Sequence, residues 1–176
     1  MKKIFLLLAS ASLLAIAGCG NGKKDDAANI DVPKGMVAAD ISSQGLPIQI
    51  IVPDSTVGPL EIIANPQGGA DVKVGKNFQV TIIEEPGNMT MKKNDIEHDD
   101  VKKLIKYLVN DSIAIAWECQ VPTQEPEFHF YAIVKSEGKT FEVHDVDGEI
   151  FSEKAATQML DAAKTIRLKA QVKAAS

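Results

Sequence analysis

Apolar side chains recur at every second position in several short segments, which glycine, proline, asparagine and aspartate separate from one another. A period of two places successive side chains on opposite faces of an extended chain, so these segments are predicted to be strands with one buried face. The strands predicted in this way before the last third of the chain are 46–52, 60–64, 70–74, 78–83 and 113–119.

The predicted strand 113–119 differs strongly between its two faces. One face carries a tryptophan and a cysteine, Trp117 and Cys119, together with isoleucines, and the other carries Ala114 and Ala116. The small alanine face would allow a helix to pack closely against it. Because Cys119 shares the apolar face with Trp117, we expect its thiol to be buried in the core.

The best hairpin signal in the chain is Glu137-Gly138, which lies between two further predicted strands, 127–135 and 140–146. A loop of two or of four residues gives the same register, in which Tyr131 lies opposite His144. In this register one face of the hairpin carries Glu127, His129, Tyr131, Ile133, Glu142 and His144.

The first helix is predicted from about Asp95 to Val109. Its apolar residues follow the i, i+3, i+4, i+7 spacing of one helical face, and acidic residues lie near its start, where they favour the helix dipole. Asn94 and Glu97 resemble a capping pair. The apolar positions are Val101, Leu104, Ile105 and Leu108.

The second helix is predicted to close the domain, beginning after Ser152 as N-cap and ending near Arg167. Its buried stripe is predicted from residues at helical spacing, namely Ala155, Met159, Ala162 and Ile166. Runs of strands with added helices predict an α+β fold, with a mainly antiparallel sheet and two packed helices. The single domain is expected to span 36–169, followed by a frayed tail at 170–176.

The N-terminus has the pattern of an export signal. Lys2 and Lys3 provide a positive start, and residues 4–17 carry no charge. This apolar run is shorter than the roughly 20 residues that a membrane-spanning helix needs, so a secretory signal is the better interpretation. An ordinary cleaved signal, with its cysteine there by chance, is the alternative.

The end of this signal, Ile16-Ala17-Gly18-Cys19, resembles the lipobox of bacterial lipoproteins: an aliphatic residue, two small residues and cysteine. The resemblance covers residues 1–19. It implies cleavage between Gly18 and Cys19, a thioether-linked diacylglycerol on Cys19, and acylation of the new N-terminus. Two or three acyl chains, palmitate among them, would hold the protein in a membrane, whereas one chain binds only marginally.

Residues 19–35 are predicted to be the lipidated cysteine and a flexible tether, because they are polar and offer little to bury. Gly20 stands where an aspartate would give the inner-membrane retention signal of enteric bacteria, which favours the outer membrane. Lys23-Lys24-Asp25-Asp26 resembles the surface-export signals of Bacteroidetes lipoproteins, although such charge runs are also typical of a solvated tether.

The charge of the chain argues against one class of partner, and its cysteine content argues against an intrachain disulfide. Loss of Lys2 and Lys3 with the signal changes the formal net charge from −5 to −7. An acidic chain argues against nucleic acid as a partner, since phosphates require clustered Lys and Arg. With Cys19 lipidated, Cys119 is left alone, so the mature chain is predicted to hold no intrachain disulfide.

A second resemblance concerns the domain itself. The order of predicted elements is similar to that of the PsbP-like photosystem subunits and the DcrB-like periplasmic lipoproteins, and the stretches that carry it are 46–53 and 151–168. The resemblance covers most of residues 45–169 and implies an α/β/α sandwich. Members of that group mostly act as accessory or binding proteins, and they share no catalytic set.

The hairpin face is the best candidate site in the sequence. His129 and His144 are diagonal neighbours in the predicted register, where two imidazoles can converge on Zn²⁺ with Glu127 or Glu142 as a third ligand. Alternating polar residues are also typical of a solvated sheet face. Cys119 can pair with a histidine in space as a nucleophile, but its apolar surroundings favour a core cysteine.

Other motifs have simpler explanations. The triplet His98-Asp99-Asp100 is interpreted as helix capping, and the alternation of Asp145, Asp147 and Glu149 lacks the twelve-residue pattern of a calcium loop. The glycine pair 68–69 needs only a turn, and the glutamates at 84–85 border a Pro-Gly turn.

These observations predict a lipid-anchored protein of the bacterial cell envelope that acts as a non-enzymatic binding or accessory module without a cofactor. Its partners would be the membrane, through Cys19, and an envelope protein or small ligand. The alternatives are an envelope hydrolase or metalloenzyme that uses the His129 and His144 face, and a structural tether of the envelope.

Overall fold

A computed structural model describes residues 31–169 of the 176-residue chain. The predicted signal, the lipidation site Cys19, most of the tether and the tail from 170 lie outside the described residues. Neither helix of the described domain is long and apolar enough to cross a membrane.

The described chain forms ten strands and two α-helices, with one short 3-10 helix at Ser42–Gln44. In chain order they are β1 Met36–Asp40, β2 Ile48–Pro53, β3 Leu60–Ala64, β4 Ala70–Val74, β5 Phe78–Ile83, α1 Met89–Glu97, β6 Lys103–Asn110, β7 Ala114–Gln120, β8 Glu127–Ser136, β9 Lys139–Asp145, α2 Glu153–Ala163 and β10 Arg167–Leu168.

The strands form two antiparallel sheets. Seven strands are ordered β3-β4-β5-β9-β8-β7-β6, and the remaining three are ordered β1-β2-β10. All adjacent pairs are antiparallel, and both helices pack against the sheets. The predicted α+β class with a mainly antiparallel sheet and two packed helices is therefore confirmed.

The main core lies on the face of the large sheet that α2 covers, here named the α2 face. Strands β7 and β8 present Ala114, Ala116, Phe130 and Ala132 to this core, and β2 of the small sheet completes it. The predicted stripe of α2 is buried throughout, at Ala155, Met159, Ala162 and Ile166. As the sequence predicts, alanines on β7 lie where the helix approaches the sheet.

The opposite side of the large sheet, here named the α1 face, has a smaller core. Alternate residues of β7 and β8 point this way because side chains change face at each residue. Among the described residues, α1 contributes two buried side chains, Met89 and Ile96. They pack with Ile115, Trp117, Cys119 and Tyr131, so the predicted burial of Cys119 is confirmed.

The prediction of a helix from Asp95 to Val109 is wrong. Helix α1 ends at Glu97, and strand β6 occupies the C-terminal part of the predicted helix, from Lys103 onward. Irregularities in the pairing of β6 with β7 fall between Leu104 and Lys106 and between Tyr107 and Val109. Each bulge inserts one residue, so Leu104 and Tyr107 share a face at a spacing of three. Of the four apolar residues that predicted one helical face, Leu104 and Leu108 pack against different cores, and Val101 and Ile105 are exposed.

The N-terminus of α1 also differs from the prediction. Asn88, rather than Asn94, is the N-cap, and its side chain accepts a hydrogen bond from the Met91 N–H at 3.0 Å. Residues 98–100 follow the helix instead of opening it. Asp99 accepts hydrogen bonds from the N–H groups of Val101 and Lys102, and so forms the turn into β6.

The predicted hairpin is confirmed in its register. Tyr131 pairs with His144, and Val134 pairs with Phe141. Ser136 and Lys139 close a two-residue turn in which Glu137 and Gly138 both have positive φ angles, 47° and 84°. Such angles at both positions define the type I′ turn, whose twist matches that of the flanking strands.

The closing helix is confirmed but is shorter than predicted. Ser152 caps it as expected, accepting from the Ala155 N–H, and α2 ends at Ala163 instead of near Arg167. The Thr165 hydroxyl donates to the Ala162 carbonyl and accepts from the Ile51 N–H of β2. These bonds turn the chain into β10, which adds to the small sheet.

Candidate functional site

A polar cluster lies at one end of the α1 face, where β7, β8 and β9 meet the connection from α1 to β6. Register places its residues there: Trp117 is the cross-strand partner of His129, and Cys119 is the partner of Glu127. Directly opposed side chains approach closely on one face of a sheet. The cysteine, the histidine and the glutamate are therefore brought together by strand pairing alone.

His129 is at the centre of the cluster. Its Nδ1 donates to Oδ2 of Asp145 at 2.6 Å, and its Nε2 lies 3.3 Å from Oε2 of Glu127. The indole of Trp117 lies beside the imidazole, with ring centroids 5.5 Å apart. Burial alone would lower the pKa of His129, but its contacts with the Asp145 carboxylate and the Cys119 sulfur raise that pKa from 6.5 to about 10.

Asp145 joins the cluster because the hairpin pairing ends just before it. The ladder between β8 and β9 stops at the pair Tyr131 and His144. Beyond this point Asp145 pairs with β5, opposite Val80, and its own Oδ1 accepts the Phe130 N–H of β8 at 2.9 Å. The Asp145 carboxylate therefore accepts a hydrogen bond from the backbone of β8 and also orients the His129 ring.

Glu127 is held by a lysine from the other side. Lys102 Nζ lies 2.6 Å from Glu127 Oε2; the Lys102 side chain is 40% exposed and that of Glu127 is 5% exposed. Burial would raise the pKa of Glu127, whereas the Lys102 ammonium lowers it, and the net direction is downward. The pKa of Lys102 is raised, since the contact with Glu127 outweighs the opposing effect of burial.

The cluster concentrates the buried charge of the domain. Among residues 31–169, Glu127 and Asp145 are the two buried carboxylates, with 4% and 6% of their surface exposed. Two cations, protonated His129 and Lys102, neutralise them. Removing charges from water costs several kcal/mol per ion, which close pairing offsets.

A half-open cleft of about 300 Å³ leads from the surface to this cluster. Its walls come from the last turn of α1, from the turn into β6 and from the turn after β9, at Asp95, Asp99 and Asp147 respectively. The ammonium of Lys92 lies at the rim, 5.7 Å from the ring centroid of Trp117 and 5.4 Å from that of Tyr131. The cleft therefore offers charges of both signs together with an aromatic wall.

The structure separates the four candidate metal ligands of the hairpin face. Glu127 and His129 belong to the cluster. His144 lines the cleft, but its Nδ1 donates to the Asp145 carbonyl at 2.7 Å. Glu142 lies apart and accepts from the Tyr131 hydroxyl at 2.9 Å.

In place of His144 and Glu142, the structure brings Cys119 to the cluster. Among the described residues, the group able to offer three convergent metal ligands is Cys119, Glu127 and His129, whose ligand atoms all lie within 4.8 Å of one another. The sequence pattern predicts Cys119 as a residue of the apolar core. The register of β7 against β8 was the missing signal, because it makes Cys119 the direct partner of Glu127.

The remaining motifs form no second site of this kind. His98 is exposed and contacts the Asn94 carbonyl through Nδ1 at 2.8 Å, and Glu84 pairs with Lys139. Asp147 and Glu149 are exposed, while Asp145 points to His129. A wider groove of about 1100 Å³ follows the outer side of α2, away from the buried carboxylates.

Comparison of this chain with protein-family models, with curated proteins and with solved structures gives no match in any of the three.

Proposed function

We propose that this protein is a lipid-anchored binding module of the bacterial cell envelope, and that its domain binds a partner through the cleft at the end of the α1 face. The supporting observation is the convergence of the buried carboxylates Glu127 and Asp145 on His129 at the floor of that cleft. Concentrated buried charge with a perturbed histidine in a cleft is typical of functional sites.

Binding is favoured over catalysis by the position of Cys119. The residue lies inside a sheet, paired with Leu104 of β6 and Glu127 of β8. Nucleophiles of acyl transfer generally occupy a turn or a helix start, where backbone N–H groups can stabilise an oxyanion.

The anchor gives the binding proposal its mechanism. A lipid on Cys19 confines the domain to a surface, and this raises its effective concentration for binding to another component of the envelope. By the square-root scaling of flexible chains, a tether of the predicted length reaches roughly 20 Å. The proposed location of the anchor is the outer membrane, and display of the domain at the cell surface is the alternative orientation.

The anchor is tested by metabolic labelling with a palmitate analogue and by membrane fractionation. Cys19→Ala should abolish the label and leave an unprocessed precursor or a soluble chain. The matched control is Cys119→Ala, because the chain has two cysteines and this change should leave the label intact. An unchanged, labelled membrane fraction for Cys19→Ala would overturn the anchor.

The role of the cleft is tested by mild crosslinking in intact cells, pull-down and mass spectrometry. Asp95 and Asp147 line the cleft and are exposed, so the double variant Asp95→Ala, Asp147→Ala should fold and should lose the recurrent crosslinked partner. The control is Glu61→Ala, an exposed residue on β3 at the far edge of the large sheet. Equal recovery of the partner by both variants would contradict the proposal.

A thiol-dependent hydrolase is the second candidate, and one observation favours it. His129 lies between Asp145 and Cys119, as a base lies between its orienting carboxylate and its nucleophile. This candidate predicts rapid alkylation of Cys119 by iodoacetamide in the folded protein. The binding proposal predicts that Cys119, which is 2% exposed, reacts slowly until the chain is unfolded.

A further inference from the structure

We propose that Cys119, Glu127 and His129 bind one Zn²⁺ ion at the floor of the cleft. This inference deepens the proposed function and rests on it, since it names a ligand for the same site. The three residues supply a sulfur, a carboxylate oxygen and an imidazole nitrogen, a donor set that suits zinc. Magnesium and calcium prefer oxygen ligands alone, so a sulfur donor disfavours both of them.

The distances are close to those that tetrahedral zinc requires. Zinc bonds of about 2.0–2.3 Å place neighbouring ligand atoms roughly 3.5 Å apart. His129 Nε2 and Glu127 Oε2 are already 3.3 Å apart, and no pair among the three ligand atoms exceeds 4.8 Å. A side-chain adjustment of about 1 Å therefore completes the site, without any movement of the paired strands that carry the ligands.

Asp145 has the position of a residue that supports a metal ligand. Histidines that bind metal through one ring nitrogen usually donate the other N–H to a carboxylate, which fixes the orientation of the ring. Nδ1 of His129 donates to Asp145 at 2.6 Å, which leaves Nε2 facing Glu127. Asp145 is thus a positioning residue, itself fixed by the Phe130 N–H.

Lys102 places a positive charge beside Glu127, where zinc would bring its own charge. Zinc binds the thiolate form of cysteine and the neutral form of histidine, so its binding releases to solvent any proton that these two groups carry. Lys102 must then leave Glu127 Oε2. Its side chain is 40% exposed and can turn into water, so this displacement disturbs no packed element.

The fourth position of the ion faces the cleft. Three protein ligands with one open position are typical of zinc that meets an exchangeable group, whereas structural zinc is enclosed by four. The rim residues Lys92 and His144 lie beside this opening. The open position is therefore where a donor atom from a bound partner would reach the ion.

The test uses the full chain with Cys19→Ser, purified in detergent, so that Cys119 is the sole thiol. Equilibrium dialysis against Zn²⁺ followed by elemental analysis should give one zinc per chain. Titration with Co²⁺ as a spectroscopic substitute should produce thiolate-to-cobalt charge-transfer absorption, and this signal should saturate at one ion per chain.

Variants in the same background identify the ligands. Cys119→Ser and His129→Gln should lose zinc, and Cys119→Ser should also lose the charge-transfer band. Asp145→Asn should bind about 10- to 100-fold more weakly, as is usual for a group that orients a ligand. The matched control is Glu142→Gln, which should bind zinc like the parent, with circular dichroism to show that each variant is folded.

Lys102→Gln separates a metal site from a structural ion cluster. Removal of the competing ammonium should tighten zinc binding relative to the parent, and a purely structural cluster predicts no such gain.

The assignment is overturned if the parent chain takes up no zinc at one ion per chain, or if uptake survives both Cys119→Ser and His129→Gln. Loss of binding in Glu142→Gln would overturn it as well. Should a ligand variant fail to fold, the cobalt spectrum of the parent still decides, because absence of the thiolate band excludes Cys119. A negative zinc result leaves the crosslinking result of the proposed function standing, so the two failures are distinguishable.

Discussion

The two faces of the large sheet are built by the same strands but carry different kinds of side chain. On the α2 face, β7 and β8 present alanine and phenylalanine, and α2 covers them with six buried side chains. On the α1 face the same strands present Trp117, Cys119 and His129, and the shorter α1 contributes Met89 and Ile96. One face is completed by its helix, whereas the other ends in a charged cleft.

This difference separates the part of the domain that holds the fold from the part that can bind. Buried apolar area stabilises the α2 face at about 25 cal/mol per Å². The polar cluster gains little by comparison, because pairing of buried charges mainly offsets their desolvation. We expect variants on the α2 face to affect stability most, and variants at the cluster to affect binding most.

The largest effect is expected for Phe130→Ala, which empties a fully buried position on the α2 face. Loss of a buried phenylalanine costs about 3–5 kcal/mol through lost burial and the cavity that remains. Urea unfolding measures the change. Met91→Ala, at an exposed position of α1, is the control, and it should stay within about 0.5 kcal/mol of the parent. A similar loss in both variants would erase the distinction between the faces.

The pH dependence of stability should come from the cluster. The folded pKa of His129 is about 10, above its unfolded value of 6.5, so its contribution is fully present below pH 6.5 and is lost as pH rises through 10. In the metal-free domain, unfolding free energies at pH 6.5 and 10.5 should differ by a few kcal/mol more in the parent than in His129→Gln. Parallel curves for the two chains would show that His129 is not held as a cation.

Asp145→Ala should destabilise the metal-free domain by about 3 kcal/mol, because it leaves a buried imidazolium without its carboxylate and the Phe130 N–H without its acceptor. Asp145→Asn retains an oxygen for the Phe130 N–H, so it should cost less. Thermal and urea unfolding compare the two. An equal loss would mean that the backbone contact contributes nothing.

The smallest stability effect is expected at the start of α1. The Tyr131 hydroxyl accepts the Asn88 N–H at 3.1 Å and donates to Glu142, so Tyr131→Phe should cost about 1 kcal/mol and speed hydrogen exchange in α1. Tyr107→Phe removes an exposed contact to Glu97 and serves as the control. Unaltered exchange in Tyr131→Phe would show that this bond does not hold the helix.

The elements that the sequence predicts correctly are those whose signals are local. The type I′ turn at Glu137-Gly138 fixes its own register, and Ser152 with a helical apolar stripe defines α2. Strand β1 was missed because a single residue of it, Ala39, is buried, so it shows no alternation. Strand β6 was taken for a helix because four apolar residues have helical spacing by coincidence: Leu104 and Leu108 pack on opposite faces of the sheet, and Val101 and Ile105 are exposed.

The candidate site was predicted in part, for a related reason. Glu127 and His129 follow from the alternation within one strand. Cys119 depends on the register between β7 and β8, and Asp145 on the point where β9 leaves β8. Lys102 lies in the turn into β6, which the sequence pattern predicts to be part of a helix. These are relations between segments, and the pattern within one segment does not contain them.

The most direct test of the account is a comparison of two positions in intact cells. A photo-crosslinking amino acid is placed at Asp147, on the rim of the cleft, and in a second strain at Glu61, on the far edge of the same sheet. The account predicts one recurrent envelope adduct from position 147 and none from position 61. Adducts from position 61 alone, or the same adducts from both positions, would contradict the claim that the polar end of the α1 face is the binding surface.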